Sequence, residues 1–118
     1  MIRIDHAART HVGRRSNNED AHCAEPKLGL FAVADGMGGY EGGEVASQLA
    51  IASLTLFFRR NADDGEITWP WGMDPRLDPA ENLLDVAVRI AHREVRQRKE
   101  GKLAQMGSTV AALIVRTC

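Results

Sequence analysis

The chain has 118 residues, 15 Lys+Arg against 16 Asp+Glu, a formal net charge of −1 and 44% hydrophobic residues. A single domain of this size buries roughly two thirds of the surface its unfolded chain exposes, so a packed core is within reach. Near-neutral charge argues against a general nucleic-acid binder, which captures phosphates with a marked basic excess. Cys23 and Cys118 lie far apart, match no metal-ligand spacing and read as reduced thiols. The N-terminus lacks an apolar leader, and the longest mostly apolar run, Leu49 to Phe58, is roughly half a bilayer span. A soluble, cytoplasmic protein is the expectation.

In chain order, Met1 to His11 is short-sided and partly alternating, which predicts a first strand. Leu28 to Ala34 is an apolar run bounded by Pro26 and Gly36, and predicts a strand buried on both faces. Gly36 to Gly43 carries five glycines in eight residues, a loop able to approach a ligand closely. A helix is predicted from about Glu44, with Ala46, Leu49, Ala50, Ser53 and Phe57 on one face. Asn61 to Leu77, with Trp69-Pro70-Trp71, reads as a long surface connection. Asp78, Pro79 and Glu81 then form an N-cap, a first-turn proline and a capping box. Leu84, Ala87 or Val88, Ala91 and Val95 make the apolar stripe, and Gly101 is the expected stop. Ser108 to Val115 is the last predicted strand. Two successive helices among strands, without βαβ alternation, point to the α+β class.

The densest chemical signal is Arg15-Ser-Asn-Asn-Glu-Asp-Ala-His22, followed by Asp35-Gly-Met-Gly-Gly39. Glu19 and Asp20 are neighbours, so on an extended segment they point to opposite faces and only one reaches a given ion directly. Asp35 ends an apolar strand, where an unpaired carboxylate is expensive unless a cation or several donors compensate it. All candidate ligands are oxygens, the Gly36 carbonyl among them, which selects hard ions such as Mg²⁺ or Mn²⁺ over zinc. Taken alone, the Glu19-Asp20 pair reads first as a solvated acidic turn, and Arg15 equally as a surface or ion-pair residue; the company of Asp35 and the motif order reverse that reading. His6, His11, His22 and His92 show no metal spacing. The glycine loop is no dinucleotide fingerprint, because Glu41 stands where one starting at Gly36 needs glycine.

Arg15 with Glu19-Asp20-Ala21-His22, then Phe31 to Gly36 with Gly38 and Gly39, then Met106 to Thr109, resembles the metal-dependent protein serine/threonine phosphatases of type 2C, in the family's own order. The Met-Gly-Gly after Asp35-Gly36 is similar to the bacterial branch. The resemblance implies a four-layer αββα sandwich of two antiparallel sheets flanked by helices, of which this chain would be the N-terminal portion over residues 1–118. It implies two Mg²⁺ or Mn²⁺ ions, with Asp35 bridging them, Glu19 and the Gly36 carbonyl completing one ion's protein ligands, Asp20 holding water and Arg15 gripping the phosphate. Met37 stands where animal members carry a histidine proposed as general acid, and the family's later Asp-bearing motifs are absent.

The expected activity is hydrolysis of phosphoserine and phosphothreonine, weak or lost in this stretch by itself. Phosphorylated proteins and a cognate serine/threonine kinase are the expected partners, with neither nucleic acid nor membrane. Two rivals stand beside it: a non-catalytic module binding one metal or a phosphoprotein, and complementation by a separate chain. Arg89 to Lys102, with six basic and two acidic residues, reads as a solvated helix face or as a surface for an acidic partner.

Overall fold

The computed structural model describes residues 3–63 and 69–116. Its elements are β1 (Asp20–Glu25), β2 (Leu30–Met37), α1 (Gly42–Asp63), α2 (Pro79–Gln97), a 3-10 turn (Gly101–Leu103), β3 (Gly107–Ser108) and β4 (Ala111–Ile114). The architecture is the expected α+β. Of the two sheets implied by the resemblance, the described residues build one, with two helices on one side of it.

β2 is the spine. It pairs antiparallel with β1 along one edge and with both β3 and β4 along the other. β4 takes Leu30 to Val33 and β3 takes Gly36 and Met37, so the predicted last strand is present but broken at Thr109 and Val110. The break has a cause: the Thr109 amide and hydroxyl both turn to the backbone of Asp35.

β2 alternates strictly. Leu30, Ala32, Ala34 and Gly36 are buried while Val33, Asp35 and Met37 are exposed, as the two-residue period of a strand requires. The expectation of a strand buried on both faces is therefore corrected, because helices cover only one side of it. α1 lies over β2 and β1, and α2 packs against α1 and touches β4. The core gathers Leu30, Ala32, Ala34, Ile51, Leu54, Phe58, Leu83 and Ala87, with Trp69 against its margin.

Several sequence expectations shift. The first strand expected over 1–11 is not formed in residues 3–11; that segment instead crosses the open face of the sheet, where His6 packs on Phe31 with ring centroids 5.7 Å apart. The true first strand, Asp20–Glu25, lacks the β-branched residues that advertise a strand. α1 begins two residues early, at Gly42. Its buried face is Ala46, Ser47, Ala50, Ile51, Leu54, Thr55 and Phe58, leaving the expected Leu49, Ser53 and Phe57 half-buried. In α2 the buried positions are Asn82, Leu83, Val86, Ala87 and Ala91, and Val88 is exposed.

The capping box at Asp78 is realised in full, with Glu81 N–H donating to Asp78 at 2.8 Å and Asp78 N–H donating to Glu81 at 3.0 Å. α2 ends at Gln97, and Gly101 opens the following turn at φ +55 instead of closing the helix. Asn82 is buried because it organises the approach to α2. Its amide donates to the carbonyls of Asp74, Leu77 and Asp78 and its oxygen accepts from Asp74 N–H. α1 runs on to Asp63, into the connection expected over Asn61 to Leu77, and residues 64–68 of that connection lie outside the described residues.

Candidate functional site

The carboxylates are positioned by strand register. Asp20 pairs directly with Asp35 across the β1–β2 ladder, and both are exposed on the face away from the helices. Directly opposed side chains in an antiparallel pair have Cβ atoms about 5 Å apart, and like charges there repel. Among the described residues neither carboxylate has an ion-pair partner.

One step further along, the Gly36 amide donates to the Glu19 carbonyl at 2.9 Å. The Glu19 side chain turns the other way, toward the start of α1, so densely that a Cβ on Gly43 would overlap its carboxylate. A Cβ on Gly36 would likewise overlap the Gly43 carbonyl. These two glycines are what allow strand end, helix start and carboxylate to share one spot, and the positive end of the α1 dipole suits the negative charge placed there. The expectation that Glu19 and Asp20 diverge thus holds, but it is Asp20 that shares Asp35's face.

Asp35 is fixed from the β3–β4 side. Its N–H donates to the Thr109 hydroxyl at 3.1 Å, and its carbonyl accepts from the Thr109 amide at 2.9 Å. The Ser108 hydroxyl also reaches the Asp35 carbonyl, at 3.4 Å. Asp20 is held by an Asx-type turn in which its N–H donates to the Asn18 side chain at 3.0 Å, while the Asn18 amide donates to Thr10 at 2.8 Å.

Above the Asp20–Asp35 pair lies an open cleft of about 430 Å³, walled by Arg9, Thr10 and His11 of the N-terminal segment and by His22, Val33, Thr109 and Ala111 of the sheet side. The cation on this wall is Arg9. Arg15 is exposed in the turn over residues 13–17 and does not line the cleft. Sequence reasoning missed Arg9, for which no local signal existed. It also missed Gly43, whose signal was the glycine pair at the helix start, and the positioning role of Thr109.

The donor set is all oxygen and unneutralised, which fits a hard divalent cation. It is also sparse: no three His, Cys, Asp or Glu side chains converge tightly enough to enclose an ion among the described residues. A cation here would keep much of its water, as Mg²⁺ commonly does.

An antiparallel sheet backed by helices on one face, with an oxygen-only acidic end on the other, has the makings of a divalent-cation site. Residues 7–117 match the protein phosphatase 2C family, and the chain belongs to that family. It is 38% identical over 117 residues to the serine/threonine protein phosphatase PstP of Mycobacterium tuberculosis, covering 94% of this chain and 19% of that protein. Its fold resembles the crystal structure of that phosphatase with a TM-score of 0.62 and 37% identity, over 86% of this chain and 37% of the other. The PstP catalytic domain in complex with two manganese ions gives 0.61 at 37% identity, over 87% and 39%. The PPM Ser-Thr phosphatase MsPP of Mycobacterium smegmatis, in complex with cacodylate, gives 0.63 at 29%, over 87% and 35%. The chain thus spans about a fifth of the curated relative and little more than a third of each solved one.

Proposed function

We propose that this chain is the N-terminal portion of a protein serine/threonine phosphatase catalytic domain, acting on phosphoserine and phosphothreonine in cytoplasmic phosphoproteins marked by a cognate kinase. The observation that carries the reading is the Asp20–Asp35 pair, opposed in register with no ion-pair partner to either carboxylate among the described residues.

Asp35, with Asp20 beside it, and the Gly36 carbonyl are the groups that would hold Mg²⁺ or Mn²⁺, and Glu19, turned toward the start of α1, would act through water. Once bound, such ions lower the pKa of water and neutralise charge on the phosphoryl oxygens. The chain's own residues do the rest. Thr109 keeps Asp35 in place from behind, and the Asn18 side chain fixes Asp20. Arg9 stands on the cleft wall and Arg15 in the adjoining turn; a planar guanidinium from either grips two phosphate oxygens at once. With few protein ligands converging, the isolated 118 residues bind Mn²⁺ weakly and turn over slowly.

A second reading, a module that binds one metal or a phosphoprotein without hydrolysing it, draws on the same lack of three converging ligands among the described residues. Calorimetric Mn²⁺ titration combined with hydrolysis of a phosphothreonine peptide separates the two. Slow Mn²⁺-dependent turnover that disappears in Asp35→Asn supports the phosphatase; Mn²⁺ binding with no turnover supports the module. Failure to bind Mn²⁺ at millimolar concentration would sink the phosphatase and the one-metal module alike.

A further inference from the structure

A second feature lies on α2, away from the carboxylates. Arg89, His92, Arg93 and Arg96 follow the i, i+3, i+4, i+7 spacing that places them on one helix face. With Trp71 and Gln97 they line an open groove of about 650 Å³ that shares no residue with the Asp20–Asp35 cleft. Trp71, 45% exposed, is the groove's aromatic wall, and the Arg93 guanidinium lies 5.5 Å from its ring centroid. Trp69 packs at the edge of the core, so the two tryptophans of the motif have separate tasks.

We propose that this groove docks an extended acidic peptide segment of a partner protein. Charge complementarity is the first support. The stretch Arg89 to Lys102 carries six basic and two acidic residues in a chain whose net charge is −1, so the excess is local. Helix-dipole compensation does not account for it, because that effect fades beyond the last turn, and Arg89 lies two turns before the end of α2 at Gln97.

The internal partners are weak ones. Arg89 meets Asp85 at 3.2 Å and Arg93 meets Glu94 at 3.7 Å, both pairs about half exposed, and Arg96 has no ion-pair partner among the described residues. Solvent-exposed pairs of this kind hold loosely and exchange readily for a better acceptor.

Spacing is the second support. Arg89 and Arg93 are separated by roughly 6 Å along the helix axis, close to the roughly 6.6 Å between alternate side chains of an extended strand. Carboxylates at positions i and i+2 of a peptide therefore meet successive guanidiniums. Beyond Arg96 and His92 the surface continues into a smaller cleft of about 300 Å³ lined by Val88, Val95 and Met106, with Lys99 also on it. An apolar residue following the acidic pair would settle there. With Trp71 the one Trp, Tyr or Phe lining the groove, and a slightly acidic whole chain, a peptide is favoured over a nucleic acid, which is bound by successive stacking platforms in a broadly basic groove.

The test uses the 118-residue chain and a fluorescein-labelled Asp-Ser-Asp-Ser-Leu peptide, read by anisotropy at low and moderate salt. Binding is expected, weakened by salt, and at least tenfold weaker in Arg93→Glu and in Arg96→Glu, both confirmed folded by circular dichroism. Because both residues are exposed and both line the groove, either variant alone decides the question if the other misfolds. An Asn-Ser-Asn-Ser-Leu peptide is expected not to bind. The proposal is overturned if the wild-type chain ignores the acidic peptide, if both folded variants bind as well as wild type, or if the neutral peptide binds equally. It is also overturned if a single-stranded oligonucleotide of matched charge binds as tightly.

Discussion

The two faces of β2 differ in what they ask of the sequence. On one, Leu30, Ala32, Ala34 and Gly36 disappear beneath helices; on the other, Val33 is 59% exposed and Asp35 stands beside Asp20. Stability is concentrated on the first face, where apolar area leaves water, and ionic chemistry on the second, where neither acid has an ion-pair partner among the described residues. A residue's parity along eight positions therefore forecasts whether its replacement unfolds the chain or disarms it.

The sharpest test of the covered face is Leu54→Ala, at a fully buried position of α1. It should destabilise by about 2–5 kcal/mol, measured by urea denaturation, with any residual Mn²⁺ affinity falling only in proportion to unfolding. Gly43→Ala breaks the division, since Gly43 belongs to the covered side yet touches Glu19. Forcing a methyl into that contact should cost about 1–3 kcal/mol and weaken Mn²⁺ binding beyond what instability explains, as parallel melts and titrations would reveal.

Asp35→Asn should act in the opposite direction. Relieving a like-charge pair stabilises the metal-free chain by roughly 0.2–1 kcal/mol, while the rise in melting temperature produced by Mn²⁺ disappears. A lower metal-free midpoint would show that Asp20 and Asp35 do not repel as the register requires.

The smallest effect concerns Asp74, whose carboxyl is held below its usual value first by the Arg76 side chain and then by the Arg76 amide. With the folded-state value depressed, its contribution is present above the unfolded carboxylate range and is lost as pH falls through the folded one. The Arg76 side chain lies in solvent, which screens the pair, so Arg76→Ala should change the pH profile of the melting temperature near pH 4 and below by no more than a barely resolvable amount.

What could be read from the sequence tracks how local the cause is. The Asp78-Pro79-Glu81 cap and the amphipathic helix behind it were legible because all their partners lie within a turn or two. β1 was not, since its side chains Asp-Ala-His-Cys-Ala-Glu declare no period and the strand exists through its ladder to β2. Glu19, Asp20, Asp35 and Gly36 were legible as candidates by type and order. That Asp20 and not Glu19 would lie beside Asp35 depended on register, which hinges on where β1 starts. Arg9 reaches the cleft wall only because the N-terminal segment crosses the open face, a path no local pattern encodes.

The tie between Thr109 and Asp35 spans 74 residues of chain. On a ribosome, where synthesis proceeds at about 5–20 residues per second, β1 and β2 emerge several seconds before the threonine that pins the aspartate. The acidic corner is thus among the last parts of this segment to set, together with the β4 edge, and a nascent chain passes through an interval in which β1, β2 and the helices can form while Asp35 still lacks its anchor.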